Sequence, residues 1–421
     1  MSPPSAANVA PPPSSSSSLL PRPGAAAAAA APPRMPVKQK MAVSLKSLMS
    51  SVLGRGSGSG SGSGPPGVTE LFAKTDPARD GDECLHDCDS CTVRYPRGFK
   101  IDEDDLMYGH VKGWSTHLLV GTGKTDWVRD VADEKGSVME AINKADAPTN
   151  GRLMLSASNM PTPHDTSDYS EPTTVLLLPA FTLVDSVHPR NVPTLIAELI
   201  SRAPTNTSPL GNTTPLPRSI PSPQHPSSSS SPSVIPDLLT RPCPHSAVIL
   251  MCSQKTRDAR CGQSAPLLRK ELERHLRPLG LYRDLHDERP GGVGIYFISH
   301  VGGHKYSANV MVYRRPNAFG QDEEEEDEQN SASDAHHPNG TANGNGNGVA
   351  NGNSSSANGK PGDGDSDTSA GLGAGQCIWL ARVKPEDCEN LVRYTVLKGK
   401  VVKPETQLRG GFDRVKGLTS W

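Results

Sequence analysis

Aromatic residues are scarce in this chain. They make up only 4% of its 421 residues and hydrophobic residues 34%, whereas glycine and proline contribute 40 residues each. Much of the chain therefore cannot bury enough apolar surface to offset the conformational entropy that folding removes. We expect one or two modest folded modules joined by disordered segments.

Long apolar runs, an excess of one charge and a high cysteine content are missing as well. Because no run of about 18 apolar residues occurs, the sequence predicts no transmembrane segment. The formal net charge of −2 gives no general support for nucleic-acid binding. Eight cysteines are too few for a disulfide-rich scaffold. Since no secretory signal is recognisable, we expect thiols that are free, catalytic or metal-bound in a reducing, intracellular compartment.

The amino-terminal stretch is rich in Pro, Ala and Ser and then in Gly-Ser repeats, which predicts a disordered tail over residues 1–66. Within it, residues 41–53 carry apolar side chains at helical spacing, and no acidic residue precedes Glu70. An acid-poor, amphipathic start is typical of a mitochondrial presequence. The other interpretation is a disordered tail in which the helical spacing of apolar residues arises by chance. The expected location is cytoplasmic, with the mitochondrion as the alternative.

Composition divides the rest of the chain into folded and unfolded stretches. Residues 67–203 predict a small N-terminal α/β lobe, and residues 204–241 a Pro/Ser-rich linker. Residues 242–316 and 376–416 predict one α/β domain with the order β-α-β-β-β-α, and its first helix is expected to begin at Ser264 as N-cap. A disordered acidic and Asn-Gly-rich insertion is predicted over 317–375, and a short tail over 417–421.

Two cysteines and two histidines form the strongest candidate site. Cys252 and Cys261 follow one predicted strand, and His300 and His304 follow the next. Thiolates and imidazoles in this number suit either a tetrahedral zinc ion or a two-iron cluster. Structural zinc usually takes cysteines two to four residues apart, so the eight intervening residues favour the wider cluster. For each histidine alone, a solvated or core position is the other interpretation.

A family resemblance agrees with this set. Residues 252–262 (CSQKTRDARCG), 280–284 (GLYRD), 300–310 (HVGGHKYSANV) and 378–383 (IWLARV) resemble the sucrase/ferredoxin-like family. The resemblance implies a thioredoxin-like ferredoxin domain at the C-terminus, with a [2Fe-2S] cluster bound by Cys252, Cys261, His300 and His304. It also implies a role in redox homeostasis, by electron transfer or redox sensing. The insertion and the long tails are the features in which this chain departs from the family pattern.

The implied ligand set has electrochemical consequences. Two thiolates and two neutral imidazoles leave an oxidised [2Fe-2S] site neutral, so it should be easier to reduce than an all-cysteine site. Reduction should also raise the pKa of the second imidazole nitrogens and couple electron uptake to proton uptake. The resemblance further implies that the terminal Ser420-Trp421 recruits the cytosolic iron–sulfur assembly machinery, whereas a disordered end is the plain interpretation.

Other motifs give weaker signals. Cys84, Cys88 and Cys91 have the CxxxCxxC spacing of radical-SAM enzymes but no βα repeat follows them, so free surface thiols are expected and a zinc or disulfide clip is the alternative. Residues 121–125 (GTGKT) resemble a phosphate-binding loop, but Leu118 stands where the motif needs glycine. The remaining thiols, at Cys243, Cys377 and Cys388, are expected in the core or at the surface.

Two other functions stay open from the sequence. A zinc-stabilised protein-binding module without redox activity is the main alternative. A thiol enzyme is the weaker one, because no CxxC opens a helix. Glycoside hydrolysis has no support, since it requires two carboxylates facing a sugar cleft and the acidic residues cluster in the insertion.

Overall fold

Runs of buried aliphatic residues form the central strands. The computed structural model describes residues 66–211, 215–222, 236–322 and 373–421. The predicted tail, its amphipathic stripe and most of the predicted insertion lie outside these residues. The strands are β1 Thr116–Gly121, β2 Leu153–Ser158, β3 Thr173–Leu178, β4 Thr182–Val187, β5 Ser219–Ile220, β6 Leu238–Pro242, β7 Ala247–Cys252, β8 Tyr282–Arg283, β9 Val293–Ile298, β10 Val310–Arg314, β11 Gln376–Leu380, β12 Leu408–Asp413 and β13 Leu418–Thr419.

The helices are mostly short, and α5 is the longest in the described part of the chain. The α-helices are α1 Val68–Leu71, α2 Pro77–Asp80, α3 Val138–Lys144, α4 Val192–Thr194, α5 Ala259–Leu276, α6 Cys388–Asn390 and α7 Pro404–Gln407. The helices of 3-10 type are Asp82–Leu85, Val131–Asp133, Pro189–Asn191, Ile200–Arg202, His304–Tyr306 and Pro385–Asp387, and those of π type are Leu195–Leu199 and Leu391–Val396. No helix among these is long and apolar enough to cross a membrane.

All of these strands belong to one mixed sheet. Its order is β13-β12-β11-β10-β7-β9-β2-β1-β3-β4-β6-β5, and β8 pairs with β9. The pairs β1–β2, β7–β9 and β8–β9 are parallel, and the others are antiparallel. The amino-terminal strands meet the carboxy-terminal strands at β2 and β9, where Ser158 is opposite Ile298. The expectation of an α/β protein is therefore confirmed.

Three apolar clusters pack against this sheet, and helices contribute to two of them. Every residue of β1, β3, β7 and β9 is buried, as expected for strands that pack on two sides. One cluster joins α5 and the helices of residues 388–396 to β7, β9 and β10. A second joins α3 and the helices of residues 192–202 to β1, β3 and β4. The third lies around Trp114 and Trp379.

The predicted start of α5 is wrong. The helix begins at Ala259, with Asp258 as N-cap accepting a hydrogen bond from the Arg260 backbone N–H at 2.9 Å. Ser264 instead lies inside the helix, where its hydroxyl donates to the Cys261 carbonyl at 3.4 Å. Cys261 is therefore in the first turn of α5 rather than in the preceding loop. Residues His304–Tyr306 form a 3-10 turn, and β10 begins after it at Val310.

Candidate metal centre

The parallel strands β7 and β9 deliver the first ligand candidates to the same edge of the sheet. Cys252 is the last residue of β7 and pairs with Ile298 at the end of β9, two residues before His300. Cys261 approaches from the first turn of α5. His304 follows the turn formed by Gly302 and Gly303, whose φ angles are 89° and 66°. A Cβ atom at position 303 would lie 2.5 Å from the Arg409 guanidinium carbon, so this tight turn requires glycine.

Three of the four predicted ligands have their donor atoms within 4.8 Å of one another: Cys252, Cys261 and His300. The Cys252 Sγ atom lies 3.8 Å from His300 Nδ1. His304 Nδ1 lies 3.5 Å from His300 Nε2, which places the fourth side chain beside the third. Soft thiolates with imidazoles suit zinc or iron–sulfur chemistry, so this donor set fits either.

The two cysteines are buried, and their sulfur atoms lie within 4.8 Å of each other. The Cys252 thiol, acting as a hydrogen-bond donor, lowers the pKa of Cys261, and His300 and the Ser307 hydroxyl add to this effect against that of burial. The same interaction between the two thiols, together with burial, raises the pKa of Cys252. Cys261 is therefore the member of the pair that more readily forms the thiolate, which is the metal-binding form.

The histidines are nearer to solvent. The side chain of His304 is 43% exposed, and its Nε2 atom lies 3.9 Å from Asp258 Oδ2. Burial and the neighbouring His300 lower the pKa of His304, so this imidazole is neutral and available as a ligand at pH 7.

A supporting layer comes from the amino-terminal half of the chain. The Gln254 side-chain carbonyl accepts a hydrogen bond from the His300 backbone N–H at 2.8 Å, and its amide donates to the Val128 carbonyl at 2.5 Å. The Ser253 hydroxyl donates to the Thr125 carbonyl at 2.7 Å. The GTGKT segment thus supports the loop between Cys252 and Cys261. Sequence reasoning missed Gln254, because its partners are more than 40 residues away.

A cleft of about 380 Å³ adjoins His300. Its charged lining is cationic and includes Lys112, Arg152 and Arg409. Arg409 is 6% exposed and lies over the Trp379 ring at 4.3 Å. Burial lowers its pKa to about 10, so it remains charged at neutral pH. No local sequence pattern indicates a role for this arginine.

The terminal Ser420-Trp421 is part of the folded structure. The Trp421 ring lies 4.2 Å from that of Trp114, and the Ser420 hydroxyl accepts a hydrogen bond from the Gly411 backbone N–H at 3.0 Å. Strand β13 also pairs with β12 immediately before it. The last residues therefore cover the aromatic cluster instead of extending into solvent.

The remaining cysteines are all buried. The expectation of surface thiols at Cys84, Cys88 and Cys91 is wrong, since they are 3%, 6% and 3% exposed. Backbone hydrogen bonds hold their segment against the helices that follow β11, for example from Cys88 N–H to the Glu386 carbonyl at 3.0 Å. Cys243, Cys377 and Cys388 lie in the core, and burial raises the pKa of each.

Comparison with known proteins agrees with the sequence motifs. The family model for sucrase/ferredoxin-like proteins matches residues 107–410. Actin patches distal protein 1 of Saccharomyces cerevisiae is 29% identical over 274 residues, which cover 58% of this chain and 77% of that protein.

Shorter matches occur with proteins named Altered inheritance of mitochondria protein 32. The protein of Clavispora lusitaniae is 38% identical over 71 residues, which are 17% of this chain and 22% of that protein. The protein of Kluyveromyces lactis is 33% identical over 88 residues, which are 21% and 23% of the two chains. No solved structure matches the chain. Since the family model spans well over half of its length, the chain belongs to the sucrase/ferredoxin-like family.

Proposed function

We propose that Cys252, Cys261, His300 and His304 bind a [2Fe-2S] cluster, and that the protein transfers electrons or senses redox state. The observation that supports this proposal most directly is that these side chains converge from two parallel strands, one helix and one glycine turn. We also propose that residues 242–316 and 376–416 form a thioredoxin-like domain around this site. The cluster, when bound, would take up and release one electron.

The chain's own residues would tune that exchange. The buried cysteines exclude water from one side, whereas the exposed His304 gives the other side contact with solvent. Its Nε2 atom faces Asp258, whose carboxylate is positioned to hold a proton at that atom. Electron uptake would therefore be accompanied by proton uptake at the histidine side.

Partners and location are proposals that follow from the relatives. The name of the yeast relative refers to actin patches, which supports a cytoplasmic role in redox homeostasis and actin patch organisation; the shorter matches support the mitochondrion as the alternative. Recruitment of the cytosolic iron–sulfur assembly machinery through Trp421 would require this ring to leave Trp114.

A zinc-stabilised binding module is the second candidate function. The 3.8 Å separation of Cys252 Sγ and His300 Nδ1 favours it, because that distance suits two ligands of one tetrahedral ion. If the two cysteines held one iron of a two-iron cluster and the two histidines the other, the sulfur and nitrogen atoms would be farther apart, so that arrangement would require the histidine pair to move outward. The exposure of His304 leaves room for that movement.

Metal analysis of anaerobically purified protein separates these functions. We expect iron and acid-labile sulfide in equal amounts, both lost in Cys252→Ser. The matched control is Cys243→Ser, a buried cysteine outside the site, which should keep both. Zinc in place of iron, lost in the same Cys252→Ser variant, would instead establish the zinc module.

A further inference from the structure

A second group of metal-binding side chains lies away from the proposed cluster site. It combines Cys88 of the CxxxCxxC segment, His275 in the last turn of α5 and Glu389 of α6. One donor atom of each lies within 4.8 Å of the other two, and Cys88 Sγ is 3.8 Å from His275 Nε2. These residues are far apart in the chain, and only the fold brings them together.

We propose that Cys88, His275 and Glu389 bind one zinc-class divalent ion. In tetrahedral zinc sites the bond lengths are about 2.3 Å to sulfur and about 2.0 Å to nitrogen, which puts the two ligand atoms roughly 3.6 Å apart. The observed 3.8 Å is close to that value without an ion. Thiolate, imidazole and carboxylate together are a ligand set that zinc accepts and that magnesium or calcium does not favour.

Arg274 occupies the position between two of these ligands. Its Nη2 atom lies 3.2 Å from Cys88 Sγ and 3.0 Å from His275 Nε2. This guanidinium provides positive charge to the ligand group. Its side chain is 40% exposed, and its Nε atom is paired with the buried Glu271 carboxylate at 2.8 Å, so only the Nη2 end has to turn toward solvent when a divalent ion enters. Binding would release the Cys88 thiol proton to solvent, and the divalent ion would replace the Arg274 guanidinium as the positive charge beside the ligands.

The backbone around the site holds the ligands in place. The Cys88 N–H donates to the Glu386 carbonyl at 3.0 Å, and the Asn390 amide donates to the His86 carbonyl at 2.7 Å. These bonds tie the loop that carries Cys88 to the helices that carry Glu389. The ion would add a cross-link from this loop to α5, fastening an otherwise irregular amino-terminal segment.

The geometry leaves one coordination position open. A cleft of about 390 Å³ adjoins Cys88 and Glu389, and Asp87 and Asp89 also line it. With three protein ligands, the fourth position would be taken by water or by one of these carboxylates.

The test measures zinc and iron together in the full-length protein after dialysis against zinc and then buffer. We expect zinc in addition to iron, with affinity reduced at least roughly tenfold in Cys88→Ser and in Glu389→Gln. Cys84→Ser is the matched control, since Cys84 is a buried thiol of the same segment outside the ligand group, and it should keep zinc. Cys252→Ser should lose iron and keep this zinc.

Two results would overturn the proposal. One is the absence of retained zinc in the wild-type protein. The other is zinc that follows Cys252→Ser but not Cys88→Ser, which would assign it to the first site and support the zinc-module function instead. Arg274→Gln provides a variant that keeps all three ligands. It should bind zinc more tightly than the wild type, and weaker binding would contradict the displacement of Arg274.

Discussion

A buried carboxylate joins the amino-terminal segment to the end of the helices that follow β11. Asp80, the last residue of α2, has a side chain that is 1% exposed. Lys400 Nζ donates to both of its carboxylate oxygens, at 3.0 and 2.9 Å, and Lys398 Nζ donates to one of them at 2.9 Å. Burial alone would raise the pKa of Asp80, but these bonds and one from the Asp76 backbone lower it from 3.8 to about 2.

This pKa determines both the size and the sign of the prediction. Each unit of difference between folded and unfolded states corresponds to about 1.36 kcal/mol, so the ionised Asp80 contributes about 2 kcal/mol to the free energy of unfolding. Because the pKa is lowered on folding, this contribution is complete above about pH 5, since the unfolded pKa is about 3.9. It is lost as the pH falls through about 2, where the folded carboxylate takes up a proton.

Urea unfolding of the wild type and Asp80→Asn across this pH range tests the argument. We expect the difference in free energy of unfolding between the two proteins to be largest near pH 6 and to shrink by about 2 kcal/mol toward pH 2. Asp82→Asn is the matched control, because Asp82 is exposed, and it should change the free energy of unfolding by less than about 0.5 kcal/mol. A difference for Asp80→Asn that does not vary with pH would show that the ionised Asp80 carboxylate does not stabilise the fold.

Three further predictions concern the site and the chain end. Trp421→Ala should lower the free energy of unfolding by about 1 kcal/mol, because it removes the contact with Trp114; thermal unfolding that is unchanged would contradict the packing. Asp258→Asn keeps an N-cap side chain but removes the negative charge beside His304. The pKa of His304 in the reduced protein should therefore fall, and with it the pH at which proton uptake accompanies reduction. Reduction potentials measured against pH that match those of the wild type would show that Asp258 plays no part. Gln254→Leu should reduce iron occupancy roughly tenfold by removing the acceptor for the His300 N–H, and full occupancy would argue against this support.

Local sequence signals were sufficient for the strands that carry the site. Residues 247–252 and 293–298 are short apolar runs, and each ends at a polar loop that begins with or contains a candidate ligand. Such runs indicate strands buried on both faces, and parallel pairing brings their ends to one edge. The motifs also indicated the family, which the family model confirms.

Helix boundaries were harder to predict. Ser264 followed by Pro266 matches the usual pattern of a helix start, because proline is favoured in the first turn. The helix nevertheless begins at Ala259, since the Asp258 carboxylate caps it and the chain continues through Pro266. Proline lacks the N–H that would bond to the carbonyl of Gly262, and this lost bond does not end the helix.

Contacts between distant residues had no sequence signal. The joining of the two halves of the sheet at Ser158 and Ile298 depends on residues 140 positions apart. The same is true of the approach of His275 to Cys88 and of Arg409 to the turn at Gly303. Periodicity reports which residues are buried in one element, but it does not report which elements meet.

The central claim is that the converging cysteines and histidines hold a two-iron cluster. Visible and electron paramagnetic resonance spectra of anaerobically purified protein, before and after dithionite, test it most directly. We expect a red-brown protein whose reduced form gives a signal with a low average g value, as expected for partly histidine-ligated [2Fe-2S] centres. A colourless protein with no signal and with zinc at Cys252 and Cys261 would contradict it.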